Sequence, residues 1–136
     1  MMAMRRLFRG VQGEQPTARD FWSNKRLGNR PRGVERTDER EYDSLSMWET
    51  RELLEPWCVK YPQIGSHIAE LELPDEPGGP LTMEPSGQEG HWSVWGEPTA
   101  FLPYIQRIYH VGDVQPVWEA PTTPGMPPTP GASSTG

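Results

Sequence analysis

Residues 67–73 read His-Ile-Ala-Glu-Leu-Glu-Leu, and their alternation is the clearest strand signal in the chain. Ala69, Leu71 and Leu73 fall on one face, while Ile68, Glu70 and Glu72 fall on the other. Pro74 terminates the run. Upstream, Thr50 is placed to cap a helix carrying Leu53, Leu54, Trp57, Cys58 and Tyr61 at helical spacing. Pro56 is an irregularity in it, and the helix is expected to end near Lys60, before Pro62. Before that, residues 43–48, DSLSMW, alternate again. Leu45 and Met47 take one face, and Ser44, Ser46 and Trp48 the other.

Residues 28–42 are polar, charged and punctuated by Pro and Gly, so a long mobile loop is expected there. A helix is expected over 18–27, with Thr17 as its cap and Asp20 as the capping-box partner. Residues 6–11, RLFRGV, read as a first strand. Downstream of the central strand, 74–90 reads as a loop or loose hairpin and 91–95, HWSVW, as an alternating strand. Glu97-Pro98 opens a short helix anchored by Phe101 and Leu102, and 104–111 forms a last strand. From 115 onward six Pro and three Gly predict a disordered tail. The expected fold is a single small α+β domain over 1–114, with about five strands and two or three helices, followed by a disordered Pro-rich tail over 115–136.

The composition agrees. A chain of 136 residues is room for one domain. Its 34% apolar content is low, and 16 Pro and 14 Gly are many, but six Trp, four Tyr and three Phe argue for a small aromatic core. A coiled coil and a disulfide scaffold are excluded, and no apolar run approaches the ~18 residues of a membrane span. Cys58 is the single cysteine, and His67, His91 and His110 are scattered without a metal-binding spacing, so no metal is expected. The start, MMAMRRLFRGV, lacks the apolar segment of a secretory signal, which points to a reducing, cytoplasmic compartment.

The net charge of −6 hides an asymmetry. Residues 1–40 carry ten basic and five acidic side chains, while 41–136 carry three and 14. A basic N-terminal segment and an acidic body are candidate surfaces for a protein partner, or simply neutralise one another in the fold. The overall acidity argues against nucleic acid, whose affinity rises with the phosphates neutralised.

Three pieces could carry chemistry, and each also has a plain structural reading. Arg9 leaves the first strand beside Gly10, placed to reach an anion or simply to lie exposed at a strand end. Ser44, Ser46 and Trp48 would line a cleft with hydroxyls and an aromatic wall, or form the solvent face of a half-buried strand. His91, Ser93 and Trp95 share a strand face, and Glu97 lies just beyond it, either as an electrostatic carboxylate or as a helix cap.

Together these pieces resemble the small bacterial ADP-ribosyltransferase-like toxin domains, with their Arg, Ser-x-Ser and Glu arrangement. The resemblance covers about residues 5–111 and rests on Arg9 in LFRGV, on Ser44-Leu45-Ser46 before the helix at Thr50, and on a late Glu. It implies an NAD cofactor held by Arg9, Ser44, Trp48, His91 and Trp95, with Trp48 or Trp95 stacking. Ser46 and Glu97 would be catalytic, with Glu89 second to Glu97. The carboxylate would stabilise a developing oxocarbenium charge. Glu70-Leu71-Glu72 has the Glu-x-Glu spacing of the arginine-modifying members, but it lies early and reads as the solvent face of a strand. The rival reading is a non-enzymatic interaction protein, such as an immunity, antitoxin or phage accessory factor. A third is a small-molecule-binding domain.

Overall fold

The computed structural model describes residues 3–121. Seven strands form one antiparallel sheet: β1 (Met4–Val11), β2 (Leu45–Trp48), β3 (His67–Pro74), β4 (Thr82–Pro85), β5 (His91–Trp95), β6 (Ile105–His110) and β7 (Pro116–Glu119). Their order is β4-β5-β2-β1-β3-β6-β7. Between them lie α1 (Asn24–Leu27), α2 (Glu39–Tyr42), α3 (Arg51–Lys60) and several 3-10 turns. The α+β class is as expected, but the strands number seven rather than about five.

Both extra strands sit at the sheet edges. The segment 74–90, expected as a loop, contains β4, whose Thr82, Glu84 and Pro85 are all exposed. Such a strand has no apolar face to show in the sequence; pairing with β5 makes it one. β7 opens with Pro116, which an edge strand tolerates at its first position, and pairs Trp118 with Ile108. The disordered tail expected over 115–136 is thus contradicted at 116–119, and its residues 122–136 lie outside those described.

The expected helix over 18–27 is two pieces. A 3-10 turn covers Ala18–Phe21, Trp22 is extended, and Ser23 caps α1 by accepting from the Arg26 N–H. The break turns Phe21 inward, where it is 1% exposed. The stretch 28–42 is not structureless either: it holds a 3-10 turn at Gly33–Arg36 and α2, whose cap Asp38 accepts from the N–H groups of Arg40 and Glu41. Thr50 caps α3 as expected, by accepting from the Leu53 N–H at 3.2 Å.

Each face of the sheet has its own core. On one face Leu7, Val11, Leu45, Met47, Ala69, Leu71, Leu73, Val94, Ile105 and Ile108 are buried. Loops cover them, contributing Phe21, Leu81 and Phe101. On the other face α3 lays Leu54 and Cys58 over Phe8, Trp48 and Ile68. The Cys58 thiol is pushed up to about 11 by burial, with Glu55 adding to it. Thiolate is the reactive form, so a disulfide reagent at pH 8 should modify the folded protein more than about 100-fold slower than the unfolded chain. Equal rates would show that α3 does not stay docked.

Candidate functional site

β1 and β2 are joined by a single in-register pair, Phe8 with Trp48. Where they diverge, Arg9 fills the gap. Its Nε donates to the Asp20 carbonyl at 2.8 Å and its Nη1 to the Ser46 carbonyl at 3.0 Å. The Ser46 carbonyl is a strand acceptor that a continuous β1–β2 ladder would otherwise satisfy, and the Asp20 carbonyl belongs to the 3-10 turn packed against this face. Loss of water around the guanidinium, only partly offset by Asp20, lowers its pKa to about 10. Arg9 shares the loop-covered face with Leu7 and lies over the Phe21 ring at 5.9 Å.

Ser46 and Trp48 lie on the opposite face, beside α3. Antiparallel register sets Ser46 across from Ser93 and Trp48 across from His91. The His91 ring then reaches the diagonal neighbour, so that its Nε2 is 2.6 Å from Ser46 Oγ. Its Nδ1 is 2.8 Å from the Ser86 carbonyl and 3.2 Å from Ser86 Oγ. Trp48 meets the imidazole edge-on, with centroids 4.8 Å apart.

The network continues inward. Ser86 Oγ is 2.5 Å from Ser93 Oγ, and Ser93 donates to Glu41 Oε2 at 2.8 Å. Ser93 is fully buried, so its hydroxyl needs these partners. Ser44 donates to the Glu41 carbonyl at 2.7 Å and lies 3.3 Å from the carboxylate. Trp95 donates from its indole to the Arg40 carbonyl, with the Arg40 guanidinium 3.9 Å over its ring.

Of the expected site residues, Ser44, Ser46, Trp48, His91 and Trp95 thus share one side of the sheet. Arg9 does not join them, and Glu97 lies near Trp95 but not at the Ser46–His91 pair. Glu97 is exposed beyond β5, 3.8 Å from Arg26 Nη2, and lines a depression of about 320 Å3 with Phe21, Ser23 and Trp95. Glu89 is exposed in the turn before β5. Sequence reasoning missed Glu41 and Ser86. One lies in the short charged helix α2 and the other in the connection between β4 and β5, and neither position carries a periodic signal.

A second cleft, of about 550 Å3, lies on the other side of α3, between it and β3 and β6. Glu70, 5% exposed, accepts there from Arg107 Nη1 at 2.6 Å and from the Tyr109 hydroxyl at 3.2 Å. Burial first, and then the Glu70 charge, raise the Tyr109 pKa. The Gly112 N–H, and then Arg51, hold the Glu55 carboxyl below its ordinary value against the effect of burial. These groups pair internally, as structural carboxylates do.

Among the described residues no helix is long and apolar enough to cross a membrane, and no group of three His, Cys, Asp or Glu side chains could hold a metal ion. No family of known proteins, no curated protein and no solved structure matches this chain.

Proposed function

We propose that this chain is an interaction protein, of the immunity, antitoxin or accessory kind, that grips a protein partner with the exposed flank of α3. The observation that carries the reading is an apolar stripe. Leu53, Trp57 and Tyr61 recur every fourth residue, Ile64 extends the line, and each is at least 36% exposed. Trp57 stacks on Trp48 at 6.3 Å and on Tyr61 at 6.1 Å. Rings already held by one another lose little freedom on binding, which is what makes aromatic anchors effective. The acids Glu49, Glu52 and Glu89 lie in the adjoining segments, within the half of the chain that is strongly acidic. A partner with apolar side chains ringed by Lys or Arg would fit.

An NAD-dependent transferase would need Arg9, Ser44, Ser46 and a late Glu in one cleft. Arg9 bound to two carbonyls, and Glu97 exposed beyond β5 beside Arg26 rather than at the Ser46–His91 pair, favour the interaction reading instead. The test pairs two measurements. Tagged wild type and Trp57→Ala are compared for partners retained from an extract of the source cell. A partner held by wild type should be lost at least about tenfold by Trp57→Ala, with the variant still melting cooperatively as a folded protein. Equal retention overturns the reading. Millimolar NAD should leave the melting temperature unchanged, and a saturable rise would instead favour the transferase.

A further inference from the structure

We propose that Ser46 is an activated nucleophile, with His91 as its general base, able to accept an acyl group from a small ester. This goes beyond the interaction reading and stands apart from it, since the α3 stripe could bind a partner whether or not Ser46 reacts.

The argument starts from a tautomer. A carbonyl oxygen can only accept, so the contact from His91 Nδ1 to the Ser86 carbonyl at 2.8 Å requires a proton on Nδ1. In the neutral ring Nε2 then carries a lone pair, and the 2.6 Å contact must be Ser46 donating to it. That is the arrangement a serine nucleophile needs: the hydroxyl bonded to a base, and the base oriented through its other nitrogen. Here a backbone carbonyl takes the orienting place that a carboxylate fills in the familiar triads.

A carboxylate is present one step further on. Glu41, acceptor-only when ionised, ends the chain of hydroxyls, so Ser93 donates to Glu41 and Ser86 donates to Ser93. The Ser86 hydroxyl oxygen is left to face the Nδ1 proton at 3.2 Å. Every hydrogen bond from Ser46 to Glu41 can therefore point the same way, toward the negative end. Such a line sets acceptor oxygens on the side of the ring away from Ser46, where they face the charge that develops as the hydroxyl proton moves to Nε2. Ser46 itself is exposed, open to a ligand, while Ser93 behind it is buried.

The step balances. Ser46 Oγ bonds to the acyl carbon and passes its proton to His91 Nε2. The ester C–O bond breaks, and Nε2 returns the proton to the leaving alcohol. Water, deprotonated in the same way, then releases the acid and restores the Ser46 hydroxyl.

The probe is p-nitrophenyl acetate with the full chain, following nitrophenolate release and locating the acetyl group by peptide mass. The expected result is acetylation at Ser46 with a stoichiometric burst. Ser46→Ala should remove it without changing the melting temperature, because the residue is exposed. His91→Asn supplies a donor toward the Ser86 carbonyl but no base at the Nε2 position, and should slow the burst about 100-fold or more. Ser86→Ala retains the orienting carbonyl but cuts the hydroxyl line to Glu41, and should slow the burst by less than His91→Asn does. No acetylation of the wild type, acetyl recovered only at other residues, or a burst in His91→Asn as fast as in wild type would each overturn the proposal. If His91→Asn melts lower, the Ser46→Ala comparison decides alone.

Discussion

Phe101→Ala is expected to cost about 3–5 kcal/mol of stability, the usual range for a fully buried ring cut back to a methyl. Phe101 is 0% exposed and stacks on Phe21 with centroids 5.1 Å apart and planes 8° from parallel. The two rings arrive from separate loops, and among the described residues no long helix covers this face of the sheet. What holds the loops down is the apolar side chains they insert, so removing one ring loosens its own loop and the one that Phe21 anchors. For a domain of this size, the loss corresponds to a fall in melting temperature of roughly 10–20 °C. Urea denaturation of wild type, Phe101→Ala, Phe21→Ala and the double variant would check it. The pair itself should account for about 0.5–1.5 kcal/mol of coupling. A loss below about 1 kcal/mol in Phe101→Ala would mean that the loops do not depend on this ring.

Gly65→Ala is expected to be the next most damaging change, at about 2–3 kcal/mol, toward the upper end for overpacking. A Cβ at Gly65 would stand 2.6 Å from Val11 N and 2.7 Å from Val11 O. The same contact can be reached from the other side, since a Cβ at Gly10 would lie 2.7 Å from the Ile64 carbonyl oxygen. Backbone meets backbone at both places, so no side-chain rotation relieves the clash. The 3-10 turn at Pro62–Ile64 must lift away from β1. Gly65 has φ 166, an extended conformation open to any residue, so the cost is contact and not backbone strain. Gly13→Ala is the control: nothing lies within 4 Å of a Cβ there, and the change should be neutral or stabilising by up to about 1 kcal/mol. Equal stability of Gly65→Ala and Gly13→Ala would show that the turn is not seated on β1.

Gly10 also shows how a sequence signal can be sound and its meaning hidden. A glycine beside Arg9 suggests room for a ligand. The room exists, but Ile64, 54 positions further along the chain, occupies it. Arg9 is similar: its guanidinium does reach out from the strand, but toward the Ser46 carbonyl where β1 and β2 part and the Asp20 carbonyl of the 3-10 turn. Edge strands escaped notice for another reason. β4 and β7 bury little, so they lack the alternation that marks β3 and β5.

Alternation within a strand is local chemistry, because successive side chains must point to opposite faces. The sequence alone therefore determined that Ser46 shares a face with Trp48, that His91 shares one with Ser93 and Trp95, and that Thr50 starts a helix. Which serine would meet which histidine depends on the register of β2 against β5, set by strand pairing and core packing across 45 residues of chain. Arg9 stands away from them because its position in β1, opposite Ala69 of β3, puts it on the other face, and Glu97 because it lies past the end of β5. Parity is written in each strand, but register is a property of the sheet, and the candidate site exists only through register.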